Sequence, residues 1–174
     1  MKLRSTAALI IFLAACLAAP GLAVSAETPL EDRETLLFLD KPELLRLAGK
    51  VETLMNETID GVSGSETFIY LNAQWMQLVL NAALRQALVL EYIYEQEPGA
   101  GGKGVMEVMA RDAGALYLGY LEYNLGNINA MTAVHAGAGD ERSTALFADL
   151  ASIYVDAAGL YRDMETRRAR HLGN

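Results

Sequence analysis

Apolar side chains recur at intervals of three and four residues through almost all of the chain after Thr28, and the alternating pattern of a β-strand is almost absent. Turn residues divide this helical pattern into four segments of about 30 residues, each about 45 Å long as a helix. Long helices joined by short loops are typical of an up-down-up-down bundle. The pattern therefore predicts an all-α fold in which residues 27–174 form a single helical-bundle domain.

The first segment, residues 29–60, contains a proline that divides it. Pro42 has no backbone N–H, and inside a helix its ring would oppose the carbonyl group of Phe38. Asp40 before it and Glu43 after it form a pattern typical of a helix start. We therefore expect either two helices in this segment or one helix that is kinked or split near Pro42.

Glycine and proline clusters separate the other three predicted helices. Ser65 is the expected cap of the second helix, which ends near Glu97. The third begins near Val105 and ends at the glycines of residues 137–139. Asp140 is the expected cap of the fourth. Positive side chains, which are favourable at the C-terminal end of a helix dipole, occupy its last turns: Arg167, Arg168, Arg170 and His171.

Two interpretations compete for residues 114–127, GALYLGYLEYNLGN. Leu118-Gly119, Tyr123 and Gly126-Asn127 are similar to part of the tetratricopeptide repeat. That resemblance implies a short helical hairpin that turns at Gly126 and serves as an adaptor. It covers about 14 residues, and no second copy follows at an offset of about 34 residues.

One long helix explains this region better. An apolar seam with alternating steps of four and three runs through it: Tyr117, Leu121, Asn124, Ile128, Met131 and His135. Gly119 and Gly126 fall on the opposite face, where small side chains would let another helix or another chain approach closely. We therefore predict an unbroken third helix whose glycines are candidate partner contacts.

A polar stripe interrupts the surface of the second predicted helix, which is otherwise almost wholly apolar from Phe68 to Tyr94. The stripe consists of Gln74, Gln77, Asn81 and Arg85. An apolar circumference that wide predicts burial on more than one side. The stripe is then either the window of this helix on solvent or a contact surface for a polar ligand or a partner helix.

Tyrosines continue the seam of the fourth helix. Tyr154 and Tyr161 follow the same spacing of four and three as the core positions, so we expect both in the core. Buried phenols need hydrogen-bond partners. Asn124 and the polar stripe are the expected partners.

Met131 and His135 stand one turn apart on the apolar seam. A thioether and an imidazole at this spacing could bind haem iron or copper, and the absence of a CxxCH motif excludes covalent haem. The alternative is a histidine at the edge of the core that is hydrogen-bonded to a neighbour such as Asp140. Both interpretations remain open at this point.

Motifs that carry chemistry are few. Residues 99–104, GAGGKG, match the spacing of a dinucleotide-binding loop, but four polar or proline residues separate them from the preceding apolar run and no second strand follows. Two histidines, no GxSxG motif and no Glu-x-x-His pair leave no residue set for hydrolysis or a di-iron site. We therefore expect an interhelical loop here and a protein that is not an enzyme.

The N-terminus has the layout of a secretory signal peptide. Lys2 and Arg4 precede an apolar run over residues 7–19, and small residues around Ala26 form a cleavage site. This predicts a signal peptide over residues 1–26 and a periplasmic or secreted protein. The alternative is a lipobox that ends at Cys16, which would anchor the protein to a membrane by a lipid; otherwise no transmembrane helix is expected after signal removal.

Charge limits the class of partner. The chain has a formal net charge of −8, and removal of Lys2 and Arg4 with the leader lowers it to about −10. Nucleic acid is therefore not expected as a partner. The sequence predicts a non-enzymatic protein that binds a protein partner or forms a homo-oligomer without a cofactor, with haem or copper as the alternative.

Overall fold

The computed structural model of the protein describes residues 32–60, 63–96 and 104–172. Within these residues the chain forms four helices and no strand, which confirms the predicted all-α fold. The helices are α1 (Lys41–Thr58), α2 (Gly64–Gln96), α3 (Val105–Gly137) and α4 (Glu141–Leu172). They belong to one compact unit that begins at Glu34.

Consecutive helices run in opposite directions and pack side by side. Each contacts the next along the chain, α4 also contacts α1, and α2 packs directly against α4. The rings of Phe68 near the start of α2 and Phe147 near the start of α4 lie 5.9 Å apart, so these two helices run in the same direction. The predicted up-down-up-down bundle is therefore present, with α1 and α3 at the two sides of the α2–α4 pair.

The expected kink near Pro42 is not present, because the helix begins there. The Asp40 side chain accepts a hydrogen bond from the Glu43 N–H at 3.1 Å and caps α1. Pro42 lies in the first turn, where a backbone N–H would have no partner inside the helix. Residues 33–40 are not helical, so among the described residues of this segment the α-helix begins at Lys41.

A strap of non-helical chain precedes α1 and packs on α2. Its side chains Leu36, Phe38 and Leu39 are buried. The buried carboxylate of Glu91 accepts hydrogen bonds from the backbone N–H groups of Leu37 and Phe38, the second at 3.2 Å. A buried backbone N–H outside a helix needs such an acceptor, and Glu91 therefore attaches the strap to the bundle.

The other helix ends agree with the sequence patterns except at one cap. Ser63, and not Ser65, caps α2: its hydroxyl oxygen accepts from the Glu66 N–H at 3.1 Å, and the Glu66 carboxylate accepts in return from Ser63. Asp140 caps α4 as predicted, since it accepts from the Ser143 N–H at 3.1 Å. Helix α3 runs through Gly126 without a break, so the interpretation as a hairpin that turns at Gly126 is wrong.

Two phenols lie in the core as predicted, but with other partners. Tyr154 is 0% exposed and its hydroxyl donates to the Asn72 side-chain oxygen at 2.9 Å. Tyr161 is also buried, and its hydroxyl donates to the Val79 carbonyl oxygen at 2.9 Å. The expected acceptor Asn124 instead donates to a carbonyl of its own helix. Burial raises the pKa of both phenols above the ordinary range.

Several sequence predictions fall outside this description. The signal peptide of residues 1–26, the lipidation candidate Cys16, and residues 99–103 of the glycine-rich loop are not among the described residues. Among the helices that are described, none has the length and apolarity needed to cross a membrane.

Two leucines on α1 test which face of this helix is buried. Leu47 is 0% exposed and Leu45 is 62% exposed. We expect Leu47→Ala to lower the free energy of unfolding by about 2–5 kcal/mol, because it leaves a cavity in the core. Leu45→Ala should change it by less than about 0.5 kcal/mol. Urea unfolding followed by circular dichroism measures both, and equal losses would contradict the packing of α1.

Candidate functional site

The outward side of α2 and α3 exposes large apolar side chains. Six of them are each more than half exposed; Tyr123, at 71%, and Leu78, at 65%, are the most exposed. We call this surface the α2–α3 face and define it by Leu71, Leu78, Leu116, Tyr120, Tyr123 and Val134. Single exposed apolar residues are common, but a row of them on two adjacent helices is typical of a binding surface.

Helical spacing and one ring contact join these residues into a continuous surface. Leu71 and Leu78 are seven residues apart and share one row on α2, and Leu116 and Tyr123 share one row on α3 in the same way. Between the two rows, the Trp75 ring packs on the Tyr120 ring with centroids 5.2 Å apart. The face therefore spans both helices.

This surface lies within unusually uncharged stretches of sequence. Residues 67–84 of α2 contain no Asp, Glu, Lys, Arg or His, and residues 113–137 of α3 contain only Glu122 and His135. Glu122 is paired with Arg162 of α4 at 2.6 Å. His135 contacts Asp140 at 3.1 Å. Solvent-facing helix surfaces normally carry charged residues, so the α2–α3 face differs in chemistry from an ordinary surface.

The predicted polar stripe borders the α2–α3 face on one side. Gln74 and Asn81 are exposed and stand three residues after Leu71 and Leu78, on the side of this row away from α3. Arg85 is exposed and continues the row of Leu71 and Leu78 by another seven residues. Gln77 is also exposed and lies farther around α2, toward α1. The stripe is therefore open to solvent.

The predicted glycines border the same face on the other side. Gly119 and Gly126 stand three residues after Leu116 and Tyr123, on the side away from α2. A Cβ atom added at either glycine would meet no atom within 4 Å. At Gly114, by contrast, a Cβ atom would lie 2.6 Å from the Gln86 amide nitrogen. Packing within the chain therefore explains Gly114 but neither Gly119 nor Gly126.

His135 lies at the end of α3 and is engaged at both ring nitrogens. Nδ1 lies 3.1 Å from the Asp140 carboxylate, and Nε2 lies 3.2 Å from the Ser65 hydroxyl. Its ring stacks on Phe147 with centroids 5.2 Å apart. The hydrogen bond to Asp140 that the sequence predicts is present, and His135 joins the start of α2 to the turn between α3 and α4.

Both ring nitrogens of His135 face hydrogen-bond partners, and metal binding by Met131 and His135 stays a prediction. A metal ligand needs a ring nitrogen with an available lone pair, and both nitrogens of His135 have hydrogen-bond partners. Met131, the other candidate, lies partly exposed one turn earlier. Among the described residues, no group of three or more His, Cys, Asp or Glu side chains could hold a metal ion.

Sequence reasoning missed the apolar residues of the candidate site. The seam analysis identifies the core positions of α3, such as Leu121 and Ile128, which are buried. Leu116 and Tyr123 repeat with the same period of seven on another side of the helix. The available signal is the absence of charged residues over 67–84 and their scarcity over 113–137, where Glu122 and His135 are the titratable residues.

Comparison with known proteins adds no relative: no family model, curated protein or solved structure matches this chain.

The Asp140 cluster predicts a dependence of stability on pH. Hydrogen bonds from Ser143, and then the contact with His135, hold the pKa of Asp140 below its ordinary value of 3.8. A carboxyl group with a lowered folded-state pKa stabilises the fold above its ordinary pKa, and this contribution is lost as the pH falls through the folded-state pKa.

We therefore expect the wild-type melting temperature to fall more steeply than that of Asp140→Asn between about pH 4 and about pH 2. Asparagine also caps a helix, so the variant retains the hydrogen bond to α4. Thermal unfolding across this pH range measures the difference. Parallel curves for the two proteins would contradict the assigned role of Asp140.

Proposed function

We propose that this protein is an exported, non-enzymatic helical bundle that acts by binding another polypeptide through the α2–α3 face. The observation that carries the proposal is the row of exposed leucine and tyrosine side chains within stretches of two adjacent helices, residues 67–84 and 113–137, that carry almost no charge. Burial of such side chains against a partner contributes about 25 cal/mol for each Å² of apolar surface removed from water.

The chemistry of the face indicates what kind of polypeptide it would bind. Tyrosine and tryptophan are enriched at protein interfaces, because an apolar ring is combined with a polar group that tolerates water. Tyr120 and Tyr123 lie near the centre of the face, and Trp75 packs beneath Tyr120. The partner surface we propose is a helix with an apolar, uncharged side, because the α2–α3 face offers a charged partner no ion pair at its centre.

The margins of the face agree with the same kind of partner. The glycine row of α3 has open space around it, so a partner helix could approach the backbone closely there. The amide side chains of Gln74 and Asn81 on the opposite margin could donate and accept hydrogen bonds at the polar rim that interfaces normally have.

Export rests on the sequence of the first 26 residues. The basic start, apolar run and small-residue site are typical of a signal peptide. We propose a periplasmic or secreted location, with a lipid anchor at Cys16 as the alternative. The acidic composition supports a protein partner over a nucleic acid.

The haem or copper hypothesis has less support. His135 would have to give up its contact with Ser65 or with Asp140 before it could bind a metal. An absorption spectrum and a metal analysis of protein purified from the native host would test this hypothesis. Stoichiometric haem or copper would favour it over the proposed function.

Photo-crosslinking from the face tests the proposed function. We expect p-benzoylphenylalanine at position 123, expressed in the native host, to form a crosslinked adduct with a polypeptide, because Tyr123 is the most exposed large residue of the face. Leu45 on α1 is 62% exposed, and α1 lies on the other side of the α2–α4 pair from α3, so the same probe at position 45 is the matched control.

Gel electrophoresis and mass spectrometry identify the adducts. A polypeptide adduct at position 123 that is absent at position 45 is the expected result. Equal or absent crosslinking at the two positions would contradict the proposal.

A further inference from the structure

We infer that the polypeptide bound by the α2–α3 face is a second copy of this chain, related to the first by a two-fold axis that runs along the groove between α2 and α3. This inference rests on the proposed function and names its partner. Four observations support it: the size of the face, its lack of charge, the position of the charges at one end, and the spacing of its rows.

The size of the face suits a pair of identical surfaces. From Leu116 to Val134 the face is about 30 Å long, and two adjacent helices make it about 20 Å wide. Each copy would therefore bury about 600 Å², or about 1,200 Å² for the pair, which reaches the lower end of specific protein interfaces. Interfaces at this end of the range include weak and transient ones, so we expect a reversible pair that forms at micromolar concentrations.

The net charge of the chain also favours a second copy as the partner at this face. With a net charge of −8, two copies repel each other at most orientations. The α2–α3 face is a surface on which both copies present uncharged side chains, from residues 67–84 and, apart from Glu122 and His135, from residues 113–137. Two copies that meet through this face place few like charges close together.

The charges at one end of the face determine the orientation. The Gln86 amide donates to the Ala110 carbonyl oxygen at 2.6 Å and lies beside Gly114, so α2 near Arg85 is level with α3 near Asp112. The side chains of Arg85 and Asp112 are both exposed. An axis parallel to the helices places α2 of one copy over α3 of the other. Arg85 of each copy then lies opposite Asp112 of its partner. The Asp112 carboxylate also pairs with the neighbouring Arg111 of its own chain at 3.2 Å, and it is exposed enough to face Arg85 as well.

The alternative two-fold arrangement lacks this complementarity. An axis perpendicular to the helices would turn the second copy end over end. Arg85 and Asp112 of each copy would then lie over the end of the face formed by Leu71 and Val134. Charged groups over apolar side chains would lose solvation without gaining a partner, so the structure favours the parallel axis.

The rows of the face complement each other in the parallel arrangement. The row of Leu71 and Leu78 from one copy lies over the row of Leu116 and Tyr123 of the other. The amide row of α2 then lies over the row of Gly119 and Gly126, where no side chain blocks the approach. Close approach of the partner's amide row would explain why positions 119 and 126 are glycines, which packing within the chain does not explain.

Sedimentation analysis of the purified protein tests whether the partner is a second copy of the chain. Between about 1 and about 200 µM we expect a reversible increase from the mass of one chain to the mass of two. Tyr123→Glu should weaken the association at least about 100-fold, because it places a charge at the centre of a dry interface. Leu45→Glu adds the same charge at an exposed site of α1, on the other side of the bundle, and should leave the association unchanged.

Two results would overturn the inference at this step. The first is a wild-type protein that sediments as one chain at every concentration. The second is a dimer that Tyr123→Glu does not weaken while circular dichroism shows that the variant is folded. Leu116→Glu, also on the face, serves as the second variant if Tyr123→Glu does not fold.

Exchange of the two charges tests the orientation. We expect Arg85→Glu to weaken the dimer about tenfold, because the new carboxylate at position 85 of each copy then faces Asp112 of the other. Arg85→Glu combined with Asp112→Arg restores opposite charges and should return the dissociation constant to within about threefold of wild type. A double variant that dimerises as weakly as Arg85→Glu alone would contradict the parallel axis.

The crosslinking experiment distinguishes failure of this inference from failure of the proposed function. If the protein is monomeric and position 123 crosslinks specifically to a different polypeptide, the inference that the partner is a second copy is overturned. The proposed function is then still supported. A monomeric protein without a specific crosslink at position 123 would contradict both.

Discussion

Two tyrosine hydroxyl groups determine the register on which the rest of the bundle depends. Tyr154 and Tyr161 lie seven residues apart on α4, and their acceptors on Asn72 and Val79 lie seven residues apart on α2. A buried hydroxyl without a partner costs about 1–3 kcal/mol. Movement of α4 along α2 by one turn would break both hydrogen bonds together, so these bonds select one alignment of the two parallel helices.

That alignment explains why one surface remains apolar. Because α2 and α4 are in direct contact, α1 and α3 lie at the two sides of this pair. Helix α2 already contacts the other three helices, yet Leu71 and Leu78 remain exposed. The apolar circumference of α2 is therefore wider than its neighbours within the described part of the chain can cover. The remainder continues onto α3 through the contact between Trp75 and Tyr120.

Local patterns predict the helices well and their distant contacts poorly. The cap at Asp140 and its contact with His135 follow from residues five apart, so the sequence indicates both. The strap before α1 depends instead on Glu91, which is more than fifty residues away. Arg168 is similar: its position predicts a solvated charge at a helix end, but the side chain is buried and paired with Glu107 of α3. Periodicity contains no information about such pairs.

The same limit explains which part of the candidate site is predictable. The amide stripe of α2 and the glycines of α3 are separate oddities in the sequence, and only the register between the two helices places them on opposite margins of one surface. Periodicity also cannot say which of two apolar sides of α3 faces the core, since Leu121 and Tyr123 both belong to rows with a period of seven. Charge provides the missing distinction. A solvent-facing side of a helix normally carries charged residues. Residues 67–84 contain none over about five turns. A stretch of helix that carries no charge over five turns and is still partly exposed in the described part of the fold therefore supports the proposal that the α2–α3 face binds a partner.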